Sequence, residues 1–144
     1  MKARETRYMN ICAIIDERGG MSFFGKRQSR DKLLVERLLS HKEYKRIYIS
    51  PYSEPLFSEY QDERVCVTES FPSDEEDALC FFELDDISKF DEHISSILLY
   101  KWNRHYPSDK HFPYDPNERG YTLLSSADFK GNSHDNITEE IWTK

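Results

Sequence analysis

A continuous apolar run near the start of the chain constrains the fold more than any other feature of the sequence. The run, Asn10-Ile11-Cys12-Ala13-Ile14-Ile15, is typical of a strand that is buried on both faces of a sheet. The polar residues 16–28 that follow include three glycines, and we expect them to form a long flexible loop. Residues 29–40 then place their leucines on one side, which predicts a helix capped by Ser29.

Apolar runs and polar segments alternate along the rest of the chain. They predict strands at 46–49, 64–68, 78–82 and 96–102, short helices at 52–60 and from Asp85 or Asp86 to about 94, and a terminal strand pair at 121–124 and 137–142. Strands that alternate with helices favour a largely parallel sheet with helices on both faces. The sequence therefore predicts a three-layer α/β fold with an antiparallel C-terminal edge, whose connection, residues 125–136, is too long for a tight hairpin.

The predicted elements form one domain, residues 9–144, because no repeat or second core is visible in the sequence. Met9 stands directly before the first apolar run and is a candidate alternative start. Residues 1–8 are then an N-terminal arm, expected to be disordered. This charged start has no apolar segment of the kind that secretory signals contain, so we expect a cytoplasmic protein. The three cysteines, Cys12, Cys66 and Cys80, lie in apolar stretches without metal-ligand spacing and indicate reduced, buried thiols.

The charge balance limits the classes of partner. A formal net charge of −7 disfavours nucleic acid, whose phosphates the chain would repel. No apolar run approaches the roughly 20 residues that a membrane helix needs. These features leave an unidentified small ligand or a protein as the expected partner.

Several short motifs resemble segments of dihydrofolate reductase. They are Ala13-Ile14-Ile15-Asp16 with Gly19-Gly20-Met21, Asp109-Lys110-His111-Phe112-Pro113, Tyr121-Thr122-Leu123-Leu124, and Asn132-Ser133-His134. The resemblance extends over nearly the whole chain and implies the α/β fold of that family, with a mobile loop over the substrate. It also implies that one strand–helix unit is deleted between Ser70 and Ser96.

Asp31 is the candidate catalytic residue, because the resemblance places it where the reductase has the carboxylate that hydrogen-bonds the pterin. The spacing of Asp31, Leu34, Val35 and Leu38 puts the carboxylate on the apolar face of the predicted helix. A carboxylate facing a pocket in this way is expected to have a raised pKa. The alternative is that Asp31 occupies the first helical turn and only interacts with the helix dipole.

The cofactor contacts of the reductase are missing from this chain. Ser50-Pro51-Tyr52-Ser53 replaces the phosphate-binding Gly-Arg-x-Thr, and Glu83-Leu84-Asp85-Asp86 replaces the family's Gly-Gly. Residues 23–30 lack the Pro-Trp pair that closes over the nicotinamide, and Tyr100 stands in place of the pocket threonine. The sequence therefore predicts no NADPH chemistry and no cofactor.

The remaining candidate ligand-binding residues lie on two segments. The loop before the predicted helix contributes Arg27, Gln28 and Arg30, which suit an anionic ligand unless they are solvated and paired with acids. The end of the fifth strand contributes Tyr100, Trp102 and Arg104, which suit recognition unless the aromatic rings fill the core. His105, Asp109 and His111 lack the spacing of a metal site, so no metal is predicted.

Three functions are compatible with this sequence. The first is a catalytically degenerate reductase-like domain that binds a ligand or a protein. The second is an enzyme of altered chemistry that uses Asp31 with Arg27 or Arg30 on a small anionic substrate. The third is an immunity or antitoxin-like protein whose acidic surface, including residues 74–77, neutralises a basic toxin. The loop pattern Phe-x-x-Arg-Gln-Ser-x-Asp also resembles short Firmicutes-type proteins sometimes labelled ribonuclease Z, but the HxHxDH cluster of that enzyme is absent.

Overall fold

A seven-stranded sheet forms the centre of the protein, which we describe from a computed structural model of residues 8–144. The predicted N-terminal arm, apart from Tyr8, lies outside these residues. The strands of this sheet are β1 (Met9–Ile15), β4 (Arg46–Ile49), β5 (Val65–Val67), β6 (Ala78–Phe81), β7 (Ile94–Lys101), β9 (Thr122–Phe129) and β10 (Ile137–Thr143). Their order is β5-β4-β6-β1-β7-β10-β9. All neighbouring pairs are parallel except β7–β10 and β10–β9, so the predicted α/β architecture with an antiparallel C-terminal edge is confirmed.

A second, small sheet corrects the prediction of an unstructured loop at residues 16–28. It consists of β2 (Gly20–Phe23), β3 (Lys26–Arg27) and β8 (Lys110–His111), in the order β3-β2-β8. The β2–β3 hairpin turns at Phe24 and Gly25, which both have positive φ. Local sequence did not indicate this sheet because β3 and β8 are each 2 residues long and β8 lies far along the chain from β2.

The first helix, α1 (Lys32–Leu39), is capped by Asp31 and not by Ser29 as predicted. The Asp31 carboxylate accepts a hydrogen bond from the backbone N–H of Leu34 at 3.1 Å, which is the usual geometry of an N-cap. The apolar face of the helix is as predicted, because Leu34, Val35 and Leu38 are buried.

The two faces of the large sheet are covered differently. One face packs against α1 and the short helix α2 (Glu54–Phe57), and its core includes Leu38, Phe57 and Tyr100. The other face packs against a 3₁₀-helix, Ile87–His93, and several loops. Asp86 caps this 3₁₀-helix, as one of the two predicted caps. No helix or strand is assigned between β5 and β6, where the resemblance implied a deletion.

The C-terminal strand pair is longer than predicted. β9 continues to Phe129, so its connection to β10 is residues 130–136 and the prediction of an extended connection at 125–136 is wrong. Ser125 and Ser126 are exposed because β9 is an edge strand, and their polarity concealed the strand in the sequence.

The three cysteines were predicted to be buried, and this prediction is wrong for Cys66, which is half-buried. Cys12, Cys66 and Cys80 are free thiols, and Cys12 and Cys80 are buried. Within residues 8–144, no helix has the length and apolar character to cross a membrane.

Candidate functional site

A crevice at the carboxyl ends of β1 and β6 is the candidate functional site. These two parallel strands are neighbours, but β1 leads to α1 on one face of the sheet and β6 leads to the 3₁₀-helix on the other. Chains that depart to opposite faces leave a gap between them, and open α/β sheets bind their ligands at this position.

An ion pair fills one side of the crevice. Glu83, just beyond β6, is buried and accepts hydrogen bonds from Arg27 Nε at 2.8 Å and from an Arg27 terminal nitrogen at 2.9 Å. Ser53 Oγ donates a third hydrogen bond to the same carboxylate at 2.7 Å. The hydrogen bonds that Arg27 donates to Glu83 raise the pKa of Arg27, against the opposing effect of burial. The loop cation predicted to receive an anionic ligand is therefore already paired.

Tyr52 holds the Arg27 side chain in place. The guanidinium lies 4.4 Å from the centre of the Tyr52 ring, a cation–π contact, and donates to the Tyr52 carbonyl at 3.3 Å. In return, the Tyr52 hydroxyl accepts the backbone N–H of Arg27 at 2.9 Å. These contacts tie β3 to the residues that follow β4.

Trp102 closes the crevice from the end of β7. Its side chain is buried, and its ring stacks on the imidazole of His134 with centroids 4.3 Å apart and an interplanar angle of 21°. Tyr106 contacts the edge of this imidazole through a 2.7 Å hydrogen bond between its hydroxyl and Nε2. The remaining space, bordered by Met21, Arg27 and Trp102, is about 10 Å³, which is no larger than a water molecule requires.

Asp16 joins the loops around the crevice, and the sequence analysis did not identify it as a site residue. It is almost fully buried, and it accepts hydrogen bonds from the backbone N–H groups of Arg18, Gly20 and Tyr106 and from the Gln28 side chain. Burial alone would raise the pKa of Asp16, but these hydrogen bonds outweigh it and lower the pKa. The sequence did contain a signal for this role, because Asp16 is an aspartate that directly follows a buried strand and precedes Gly19-Gly20.

The prediction of a raised pKa for Asp31 is wrong. Besides Leu34, its carboxylate accepts hydrogen bonds from the backbone N–H groups of Asn132 and Ser133 at 3.1 and 2.8 Å, and from Ser133 Oγ at 2.9 Å. Burial opposes ionisation, but these donors overcome it and lower the pKa of Asp31. Only a cavity of about 20 Å³ lies beside it, near Tyr60.

Gly131 makes this arrangement of Asp31 possible, and we expect Gly131→Ala to lower the free energy of unfolding by about 2 kcal/mol. A Cβ at this position would overlap the Asp31 carboxylate and lie 2.7 Å from Ile137 Cδ1. Chemical denaturation of the two proteins measures the loss. Lys130→Ala, at the exposed neighbouring position, is the control and should change stability by less than about 0.5 kcal/mol. An equal effect of the two substitutions would contradict the packing described for Gly131.

The other predicted site residues are distributed over different parts of the molecule. Arg27, Gln28 and Trp102 meet at the crevice, whereas Arg30 and Arg104 are exposed. Tyr100 is fully buried on the α1 face, where its hydroxyl donates to Glu139 at 2.8 Å. A ligand-binding role for these residues stays a prediction. Among residues 8–144, no group of three His, Cys, Asp or Glu side chains is arranged to hold a metal ion.

Glu139 is a further buried carboxylate with several partners. It accepts hydrogen bonds from His41 Nε2 at 2.8 Å and Arg37 at 3.2 Å, in addition to Tyr100. Burial raises the pKa of Glu139, but these three donors dominate and lower it to about 2. The hydrogen bond to Glu139 in turn raises the pKa of His41, although burial opposes this.

This cluster predicts a stability maximum in mildly acidic solution. The contribution of Glu139 is complete above its unfolded pKa of 4.5 and is lost as pH falls toward its folded pKa of about 2. The contribution of His41 is complete below its unfolded pKa of 6.5 and is lost as pH rises through its raised folded pKa. Urea denaturation at about pH 3, pH 5.5 and pH 8.5 should therefore give the highest free energy of unfolding at the middle value.

The same experiment on His41→Gln isolates the alkaline part of this pH dependence. The variant should lose the decline between the middle and the highest pH, while His111→Gln, at an exposed histidine, should retain it. A decline that is identical in wild type and His41→Gln would contradict the assignment to His41.

Comparison with known proteins bears on the fold. No family model matches the chain, and no curated protein matches it. Among solved structures, dihydrofolate reductase from Enterococcus faecalis, complexed with NADP(H) and RAB-propyl, aligns with a TM-score of 0.63 over 96% of this chain and 96% of that chain. The chain has a dihydrofolate-reductase-like fold. Because the aligned residues are only 7% identical, this similarity concerns the fold alone. The resemblance to proteins labelled ribonuclease Z stays a prediction.

Proposed function

We propose that this protein is a dihydrofolate-reductase-like domain that binds a ligand or a protein and does not catalyse NADPH-dependent reduction. The observation that supports the proposal is the closed crevice, in which Arg27, Glu83 and Trp102 leave about 10 Å³. A nicotinamide ring next to a substrate needs a cavity at least an order of magnitude larger.

The residues around the crevice do not fit NADPH. Glu83 places a buried carboxylate at the end of β6, where it would repel the pyrophosphate. Pro51 stands at the start of the segment after β4 and has no N–H to donate to a phosphate oxygen. Arg27, the nearest cation, pairs with Glu83 in a bidentate contact, so that recruiting it to a phosphate would leave Glu83 unpaired.

The two alternative functions receive less support. An enzyme that uses Asp31 as an acid or base needs a carboxylate that reaches its substrate, whereas Asp31 is buried and accepts four hydrogen bonds. An immunity or antitoxin-like role rests on the net charge of −7. The acidic residues 74–77 carry part of that charge, but Glu75 accepts a hydrogen bond from Tyr48 at 2.6 Å and Asp77 lies 3.9 Å from Lys45.

A turnover assay with NADPH and dihydrofolate tests the proposal. We expect consumption of NADPH at the rate of the mixture without protein, and the same rate with Asp31→Asn. An authentic dihydrofolate reductase in the same buffer is the positive control. Saturable turnover in both substrates that is lost in Asp31→Asn would overturn the proposal and assign catalysis to that carboxylate.

A further inference from the structure

A cavity of about 480 Å³ lies on the face of the sheet opposite α1, at the carboxyl ends of β1 and β7. It is separate from the closed crevice, and its volume lies in the range of sites that hold small molecules. Its apolar lining consists of Ile15, Leu99, Phe112, Tyr114, Pro116 and Trp142.

Three aromatic rings form the walls of this cavity and are held in place by their neighbours. Phe112 and Tyr114 pack edge to face, with centroids 5.3 Å apart. The Trp142 indole N–H donates to Glu140 Oε1 at 3.0 Å, and Glu140 Oε2 pairs with Lys101 at 3.1 Å. The rings of Phe112 and Trp142 suit a flat apolar ligand and attract a positive charge placed over them. The Tyr114 ring contributes apolar wall only, because the Arg119 guanidinium already lies 4.4 Å from its centre.

The charges at the rim favour a cation. Glu17 and Asp115 line the cavity, are exposed, and form no ion pair with any residue of the described chain. Arg18 is the one cation of the lining that is not paired with an acid within residues 8–144, because Lys101 is paired with Glu140. Among these lining residues, two carboxylates and one cation are therefore without an ion pair to any residue of the described chain. This excess of negative charge strengthens the binding of a ligand with an ammonium group and weakens the binding of a ligand with a carboxylate.

We propose that this cavity binds a planar aromatic or heteroaromatic amine in its protonated form. The ring lies among Phe112, Tyr114 and Trp142, and the ammonium group lies toward Glu17 and Asp115 at the rim. This inference goes beyond the proposed function, because it concerns a different cavity and makes no use of the crevice between β1 and β6.

Three indole compounds that differ only in their terminal group test the charge preference. Tryptamine carries an ammonium, tryptophol a hydroxyl and indole-3-propionate a carboxylate on the same two-carbon chain. Titration into the full-length ¹⁵N-labelled protein is followed through the indole N–H signals of its two tryptophans. Trp142 lines the cavity and Trp102 lies in the crevice, so the second signal is an internal control. We expect a saturable shift of the Trp142 signal alone, with tryptamine binding about five times more tightly than indole-3-propionate and tryptophol between them.

Variants that remove the charges of Glu17 and Asp115 test whether these two residues cause the preference for an ammonium group. Glu17→Gln with Asp115→Asn should weaken tryptamine binding about two- to threefold, to about the affinity of tryptophol, and leave tryptophol binding unchanged, because exposed charge interactions are worth less than about 1 kcal/mol. Asn at position 115 also keeps an acceptor for the turn hydrogen bond from the Asn117 N–H. Glu118→Gln removes an exposed acid that does not line the cavity and should leave all three affinities unchanged.

Three results would overturn the inference. They are equal or tighter binding of indole-3-propionate, a Trp142 signal that no compound shifts, and a Trp142 signal that moves with protein concentration alone. The last result would assign the cavity to a second copy of the chain. None of them bears on the turnover assay, so failure of this inference is distinguishable from failure of the proposed function.

Discussion

Trp102→Ala is expected to lower the free energy of unfolding by about 3–5 kcal/mol. The indole is 2% exposed and stacks on His134, and the neighbouring side chains that border the crevice leave almost no free volume. Removing it creates a cavity that the surrounding sheet and loops cannot fill by small movements, because both are fixed by backbone hydrogen bonds. Denaturant unfolding monitored by far-UV circular dichroism measures the loss without depending on tryptophan fluorescence.

Trp102→Phe is the matched variant, because it keeps an aromatic ring against His134 and leaves a smaller cavity. It should lose less than half as much stability as Trp102→Ala. If Trp102→Ala unfolded within about 1 kcal/mol of the wild type, Trp102 would not fill the crevice as described here.

Arg27→Met is expected to cost about 3 kcal/mol, since it leaves the Glu83 carboxylate buried with Ser53 as its one remaining side-chain donor within residues 8–144. Adding Glu83→Gln should recover part of this loss, because a neutral amide is less costly to bury than an unpaired charge. A double-mutant cycle measured by denaturant unfolding therefore predicts a large favourable coupling between positions 27 and 83.

Arg27→Lys is the control for geometry in this cycle. Lysine keeps the positive charge but cannot reproduce the bidentate contact or the planar stacking on Tyr52, so an intermediate loss is expected. Additive effects of Arg27→Met and Glu83→Gln would contradict the view that this ion pair holds the crevice closed.

The sequence predicted the parallel core well because each of its strands is coded by a local pattern. The run from Asn10 to Ile15 is β1 almost to the residue, and the strands at 46–49 and 78–82 differ from β4 and β6 by at most one residue. In a small α/β domain, a continuous apolar run of this length is typical of a buried strand. The residues of each run were therefore sufficient to predict its strand.

The candidate site was harder to predict because its contacts join distant parts of the chain. Asp31 was placed in a pocket by its resemblance to the reductase carboxylate and by helical spacing, but its partners Asn132 and Ser133 lie about a hundred residues away. The pairing of Arg27 with Glu83 likewise depends on the fold, although each residue was noted separately in the sequence. The spacing of residues along one helix predicts which side chains share a face. It does not predict which backbone N–H groups from distant parts of the chain contact that face.

The closure of the crevice to NADPH is tested most directly by titrating the full-length ¹⁵N-labelled protein with NADPH. The titration is followed through the indole N–H signal of Trp102. That ring borders the crevice. We expect the Trp102 signal to stay in place up to millimolar NADPH. A saturable shift of this signal at micromolar NADPH would contradict this expectation, since the crevice would then open to the cofactor.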